Sequence, residues 1–140
     1  IDVFKENLYT KEEMKMIDET RKILSEPDLR VTATTVRVPV YRSHAESVNI
    51  EFAEAVSVEA ARKAIAAFPG AALNDDPDEQ AYPMPLFTSG KDDVEVGRIR
   101  LDESVEHGLN LWVCGDQIRK GAALNALQIA EYMIEHEMIG

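Results

Sequence analysis

Cysteine is almost missing. A single residue, Cys114, stands in a chain of 140, so neither an internal disulfide nor a thiolate-rich zinc site can be built, which suits a reducing compartment. Positive charge is scarce as well: 15 basic residues against 26 acidic ones leave a formal net charge of −11 and a pI near 4.7. A surface of that sign repels duplex nucleic acid and anionic membrane, and neither is expected as a partner. No apolar run nears the roughly 20 residues of a bilayer span, and no basic-then-apolar leader precedes a small-residue cleavage site; the expected location is the cytoplasm. Phosphate-cradling and hydrolase signatures are absent too, with no G-x-G-x-x-G after a strand, no Walker loop and no G-x-S-x-G elbow. Alone, the chain is not expected to bind a dinucleotide. Ile1 stands where an initiator methionine would, which gives the expectation of a piece excised from something longer.

What is present is 45% hydrophobic and 29% charged residues, the composition of one ordinary domain with a core, read as a single domain over 1–140. Thr10 and Glu13 have capping-box spacing, and Met14, Ile17, the Arg21 stem and Leu24 recur at helical intervals, predicting a helix over 11–25 that Pro27 ends. Residues 29–40 are rich in Val and Thr and predict a strand. After a connection at 41–45, Val48, Ile50 and Phe52 alternate with polar residues and predict a half-buried strand over 46–53, paired with the first as a long hairpin. Ser57 caps a second helix with Val58, Ala61, Ile65 and Phe68 on one stripe, closed by Pro69 and Gly70.

Residues 74–93 hold Pro77, Pro83 and Pro85 without periodicity and read as a long surface loop. A strand over 94–101 changes apolar phase around Gly97, which predicts a bulge, and 109–114 is apolar on both faces, as a central or interface strand is. After Gly115 and Asp116 comes a last helix, with small residues such as Ala122, Ala126 and Ala130 dominating its expected buried face. Helices on one face of a mainly antiparallel, mixed sheet make an α+β fold. Internal repeats, linkers and low-complexity tracts are lacking.

The chemistry-bearing residues read modestly one by one. His44, His107 and His136 lie on different elements without a carboxylate at ligand spacing, so no metal is expected. His44 sits where a strand meets a short turn, a place for an acid or base working near neutral pH, although an exposed turn histidine is the ordinary reading. Arg37 lies in an apolar strand, either snorkelling to an edge or paired with an anion. Glu12 and Lys15 are one helical turn apart, the spacing of an ordinary surface pair. Cys114 reads as a small core residue. The segment GDQIRKG at 115–121 opens the last helix with free amides that an anion can meet, as any helix start does.

Three segments read together go further: TKEEMKMIDETRKIL at 10–24, VTATTVRVPVYRSHAESVNIEF at 31–52, and VGRIRLDESVEHGLNLWVCGDQIRKGAALNALQIAE at 96–131. They resemble the C-terminal half of bacterial aspartate-semialdehyde dehydrogenases, in order and at the family's spacing over nearly the whole chain. The resemblance implies a glyceraldehyde-3-phosphate dehydrogenase-like C-terminal domain and, in the intact enzyme, reversible reductive dephosphorylation of aspartyl 4-phosphate to aspartate 4-semialdehyde with NADPH, the branch point toward lysine, methionine, threonine and isoleucine. In that family a cysteine thiolate attacks the acyl phosphate and a histidine shuttles the proton. His44 matches that histidine, Arg37 the arginine that pairs with the substrate carboxylate, Glu12 the acid facing the substrate amino group, and Lys15 the lysine that holds phosphate. Gln117 matches a position that contacts NADPH.

The departures are specific. The Gly-rich nucleotide segment and the Asn-Cys nucleophile belong to the family's N-terminal part and are not here, and Cys114 does not match the nucleophile. Ser43 stands where the family usually has glycine, and Ala45 where it has serine. The fragment is therefore expected to be inactive, to bind no NADP alone, and to self-associate as a homodimer or higher oligomer through its two-sided strand and the last helix, which in the family packs toward the nucleotide domain. A rival reading is a non-catalytic paralogue or stand-alone dimerisation module of the same fold.

Overall fold

In a computed structural model that describes residues 2–139, the chain forms two compact units that divide between Pro39 and Val40. The smaller is built on α1, Lys11–Leu24. Its start is the predicted capping box: the Thr10 hydroxyl accepts the Glu13 amide at 3.2 Å, and Glu13 Oε2 accepts the Thr10 amide at 2.8 Å. Two of the four orphan donors of a helix start are thereby satisfied. Ser25 closes the helix in the left-handed region at φ 57°, ahead of Pro27. Ile17 is the buried hydrophobic residue of the helix.

Residues 29–38 are extended but form no strand, which corrects the expected hairpin. The run alternates as a strand does, with Val31, Ala33 and Thr35 half-buried between exposed Arg30, Thr32, Thr34 and Val36. Val and Thr favour extended backbone locally, whereas a strand also needs a ladder partner.

The larger unit is a four-stranded sheet. Its elements are β1 (His44–Glu51), α2 (Val58–Ala67), β2 (Ala71–Leu73), α3 (Pro85–Thr88), β3 (Val94–Asp102), β4 (Gly108–Gly115), a π-helical turn (Arg119–Ala123) and α4 (Leu124–Glu135). The strand order is β1-β4-β3-β2, antiparallel except for the β2–β3 pair. The mixed, mainly antiparallel α+β class is as read. The two-sided apolar strand is central: β4 pairs His44 with Gly115 and Glu51 with Gly108 on one side, and β3 on the other. β1 thus takes β4 as its partner in place of the expected 29–40 strand.

The bulge falls where the phase changed. The β3–β4 register shifts between Gly97 and Arg100, with Arg98 at φ 54°. The loop expected over 74–93 holds α3, and β2, only three residues long, was not anticipated. Val96, Ile99, Leu109 and Cys114 form the buried apolar core of this unit.

Ser57 caps α2 by accepting the Ala60 amide. Phe68, expected on its apolar stripe, is exposed. α4 likewise buries no residue, and Leu127 and Ile134 are 63% and 62% exposed, so the buried small-residue face expected of it is not formed among the described residues. No helix among those residues is long and apolar enough to cross a membrane.

Candidate active site

In the smaller unit, Glu12 and Lys15 lie in the first turns of α1, and Lys15 Nζ is 3.6 Å from Glu12 Oε1. Both side chains are about half exposed, so the pair is solvent-screened and contributes little to stability. Glu13, between them, is buried and does more. Its Oε1 accepts the Thr35 amide at 2.8 Å and lies 3.4 Å from the Thr35 hydroxyl. The Thr10 and Thr35 amides hold its carboxyl below the usual range, against an opposing effect of burial. Arg37 follows Thr35 by two residues in the extended run, exposed, with no ion pair among the described residues of this unit.

In the larger unit, His44 is the first residue of β1, opposite Gly115, with its side chain exposed. The turn before it is unusual. Ser43 takes φ 77°, the left-handed conformation in which a Cβ crowds the following carbonyl. Glycine would adopt it without strain, whereas a serine here is sterically costly. The serine is buried, its amide donates to Gln117 Oε1 at 2.8 Å, and its hydroxyl lies 3.1 Å from Thr88 Oγ1 and 3.3 Å from Ser89 Oγ. Those bonds offset the strain.

Arg42, one residue earlier, is ion-paired with Asp116, Nε to Oδ2 2.6 Å. Asp116 is buried and accepts the backbone amides of Gly90 at 2.6 Å, Ile118 at 3.0 Å and Arg119 at 3.3 Å. Burial raises its pKa, but these amides and Arg42 outweigh it and hold the carboxyl below its usual value. Sequence reading took Asp116 for punctuation and Glu13 for a cap; the one available signal was an acidic residue at each helix start, which is common.

Gln117 is half-buried with its carbonyl oxygen engaged by Ser43, leaving its NH2 as the group able to donate elsewhere. Cys114 is fully buried, and burial first, then the Glu95 charge, push its thiol up to about 11. It is a protonated core residue at neutral pH. His107 lies between β3 and β4, and His136 ends α4, where its ring stacks on Tyr132 at 3.9 Å. No cluster of three His, Cys, Asp or Glu able to hold a metal is present among the described residues.

A family model described as semialdehyde dehydrogenase, dimerisation domain, matches residues 1–120. An aspartate-semialdehyde dehydrogenase of Synechocystis sp. is 59% identical over 129 residues, 92% of this chain and 38% of the relative. One from Bacillus subtilis is 52% identical over 132 residues, 94% of this chain and 38% of the relative. Among solved structures, aspartate semialdehyde dehydrogenase II from Vibrio cholerae, complexed with ASA, matches with a TM-score of 0.91 at 44% identity, over 96% of this chain and 40% of that one. A probable aspartate-semialdehyde dehydrogenase from Pseudomonas aeruginosa matches with a TM-score of 0.88 at 28% identity, over 98% and 40%. The chain spans about two fifths of the length of these relatives.

Proposed function

We propose, for a chain that belongs to the semialdehyde dehydrogenase dimerisation-domain family, that residues 1–140 act as the substrate-binding and dimerisation part of an NADP-dependent aspartate-semialdehyde dehydrogenase working in the cytoplasm. The intact enzyme converts aspartyl 4-phosphate to aspartate 4-semialdehyde and phosphate. The observation that carries this reading is the match along nearly the whole chain to relatives of one name, at an identity high enough to carry side-chain chemistry with the fold.

Within that reading each residue has a task its chemistry suits. His44 moves the proton, since an imidazole can both give and take one and this one stands open to solvent at the start of β1. Arg37, open to solvent, offers its planar fork to the substrate α-carboxylate. Glu12 meets the α-ammonium group and Lys15 the phosphate, both on the exposed face at the start of α1. The dihydronicotinamide, when bound, supplies hydride to the reacting carbonyl carbon. Gln117 fits a nucleotide contact through its NH2, which is the half of its amide that Ser43 does not use. The nucleophilic thiolate comes from outside this chain, because Cys114 is buried and protonated.

The test is His44→Ala in the intact enzyme. A fall in kcat of about 10²-fold or more is expected for a positioned acid/base group; an unchanged kcat overturns the assignment. The 140-residue chain alone should show no turnover, since it brings neither thiolate nor nucleotide fold.

A further inference from the structure

His44 is exposed, and its ring makes no hydrogen bond among the described residues, so no side-chain partner sets its direction. What is fixed is its Cα–Cβ bond, by the backbone. On one side β1 is laddered to β4, with His44 opposite Gly115. Carrying that antiparallel register two steps further would set Ser43 against Asp116 and then Arg42 against Gln117. The ladder stops instead, and side chains take over crosswise: Asp116 pairs with Arg42 and Gln117 receives the Ser43 amide.

We propose that Asp116 and Gln117 are positioning residues, a two-residue clamp that holds the left-handed turn at 42–43 and thereby aims His44. The proposal rests on the reading of His44 as the proton-moving group. Three features support it. First, the clamp grips the two residues immediately before His44, where a backbone rotation reorients the following Cα–Cβ bond most directly. Second, Ser43 holds a conformation that a serine does not choose unaided. Third, Asp116 is tied from three directions, by Arg42, by Gly90 of the loop after α3, and by Ile118 and Arg119 at the entry to the π-helical turn. The loop after α3 completes the enclosure, because Thr88 and Ser89 supply the hydroxyls that meet Ser43 Oγ. A buried carboxylate with its oxygens engaged in this way is a rigid anchor, as a supporting shell around a reacting group requires.

The experiment compares Gln117→Ala, Gln117→Glu, Asp116→Asn and His44→Asn in the intact enzyme at saturating substrate and nucleotide. A misaimed acid/base group costs up to about 10²-fold, so Gln117→Ala and Asp116→Asn are expected to lower kcat at least about tenfold, with the KM for the acyl phosphate changed by less than about twofold. Gln117→Glu keeps an oxygen for the Ser43 amide but loses the NH2 assigned to the nucleotide, so it is read at the amide: in the 140-residue chain its Ser43 exchange should return toward the parent rate, and exchange as fast as in Gln117→Ala would overturn the clamp. If His44→Asn lowers kcat while Gln117→Ala does not, the clamp is overturned and His44 stands. If His44→Asn leaves kcat unchanged, the reading of His44 falls and the clamp with it. Should Asp116→Asn not fold, the Gln117 pair decides alone. In the 140-residue chain, the Ser43 amide should exchange with solvent faster in Gln117→Ala than in the parent; equal rates would also overturn the proposal.

Discussion

Glu13 Oε1 accepts the backbone N–H of Thr35 at 2.8 Å, across 22 residues of sequence. One carboxylate therefore starts α1 and also tethers the extended run that carries Arg37. Glu12 and Lys15 share that helix start, so the tether holds three candidate substrate contacts on one small scaffold.

The tether is charge-dependent, with a definite sign. The folded pKa of Glu13 lies below its ordinary value of 4.5, so its contribution is present above about 4.5 and is lost as pH falls through the lowered folded value. Glu13→Gln has one acceptor oxygen for two amides, and it turns an NH2 toward whichever amide is left. Helix circular dichroism during urea unfolding at pH 7 and pH 3 should show a stability drop in the parent and a smaller drop in the variant. Equal drops would show that Glu13 is not the group responsible. Thr10→Ala, which removes the other half of the capping box, is expected to cost about 1 kcal/mol at neutral pH.

Gly97 sits at the β3 bulge against the chain. A Cβ there would lie 2.1 Å from the Asn74 carbonyl oxygen and 2.6 Å from Pro83 Cδ. Backbone has to part to admit it, so Gly97→Ala should destabilise by roughly 1–3 kcal/mol. Gly121→Ala is the comparison, since its Cβ meets nothing nearer than Gln117 Cβ at 3.7 Å. Urea midpoints that are equal for the two variants would contradict this packing.

The Cys114 thiol should be silent toward a disulfide reagent at pH 8 in the folded chain and should titrate as one thiol per chain in denaturant. Burial and a pKa of about 11 both suppress the thiolate. Rapid labelling of the native protein would show that β4 opens readily.

Arg37→Lys in the intact enzyme keeps the charge and loses the fork. The KM for the acyl phosphate is expected to rise about tenfold, the equivalent of one lost charge-assisted hydrogen bond, with kcat changed far less. An unchanged KM would move the carboxylate contact to another residue.

Leu127, Ile129, Tyr132 and Ile134 of α4 are each more than half exposed. Exposed apolar surface on opposite sides of one helix favours self-association, so light scattering on the isolated chain should give a mass above 15.6 kDa that rises with concentration. A clean monomer at high concentration would refute it.

The parts of the fold that were legible in sequence are those decided within a turn or a pleat. The Thr10–Glu13 box, the Ser57 cap, the alternation of Val48, Ile50 and Phe52 and the phase change around Gly97 each involve neighbours a few residues apart. β2 escaped because Ala71, Ala72 and Leu73 are too few to show a period. In the site, the residue identities at Glu12, Lys15, Arg37, His44 and Gln117 were legible only through resemblance, since spacing alone made each look ordinary.

The sequence by itself determined where α1 and α2 start and where backbone is extended, because caps and β-branching act over one or two turns. Only the tertiary structure decided partnership. The extended run at 29–38 reads as a strand, yet it has no ladder, while β1 pairs with β4. Asp116 and Gln117 read as a helix start, yet the chain brings them back across 74 residues, in the case of Gln117, to grip the turn before His44. A hydrogen bond is satisfied by whichever donor the fold delivers, and long-range delivery leaves no periodic trace in the order of residues.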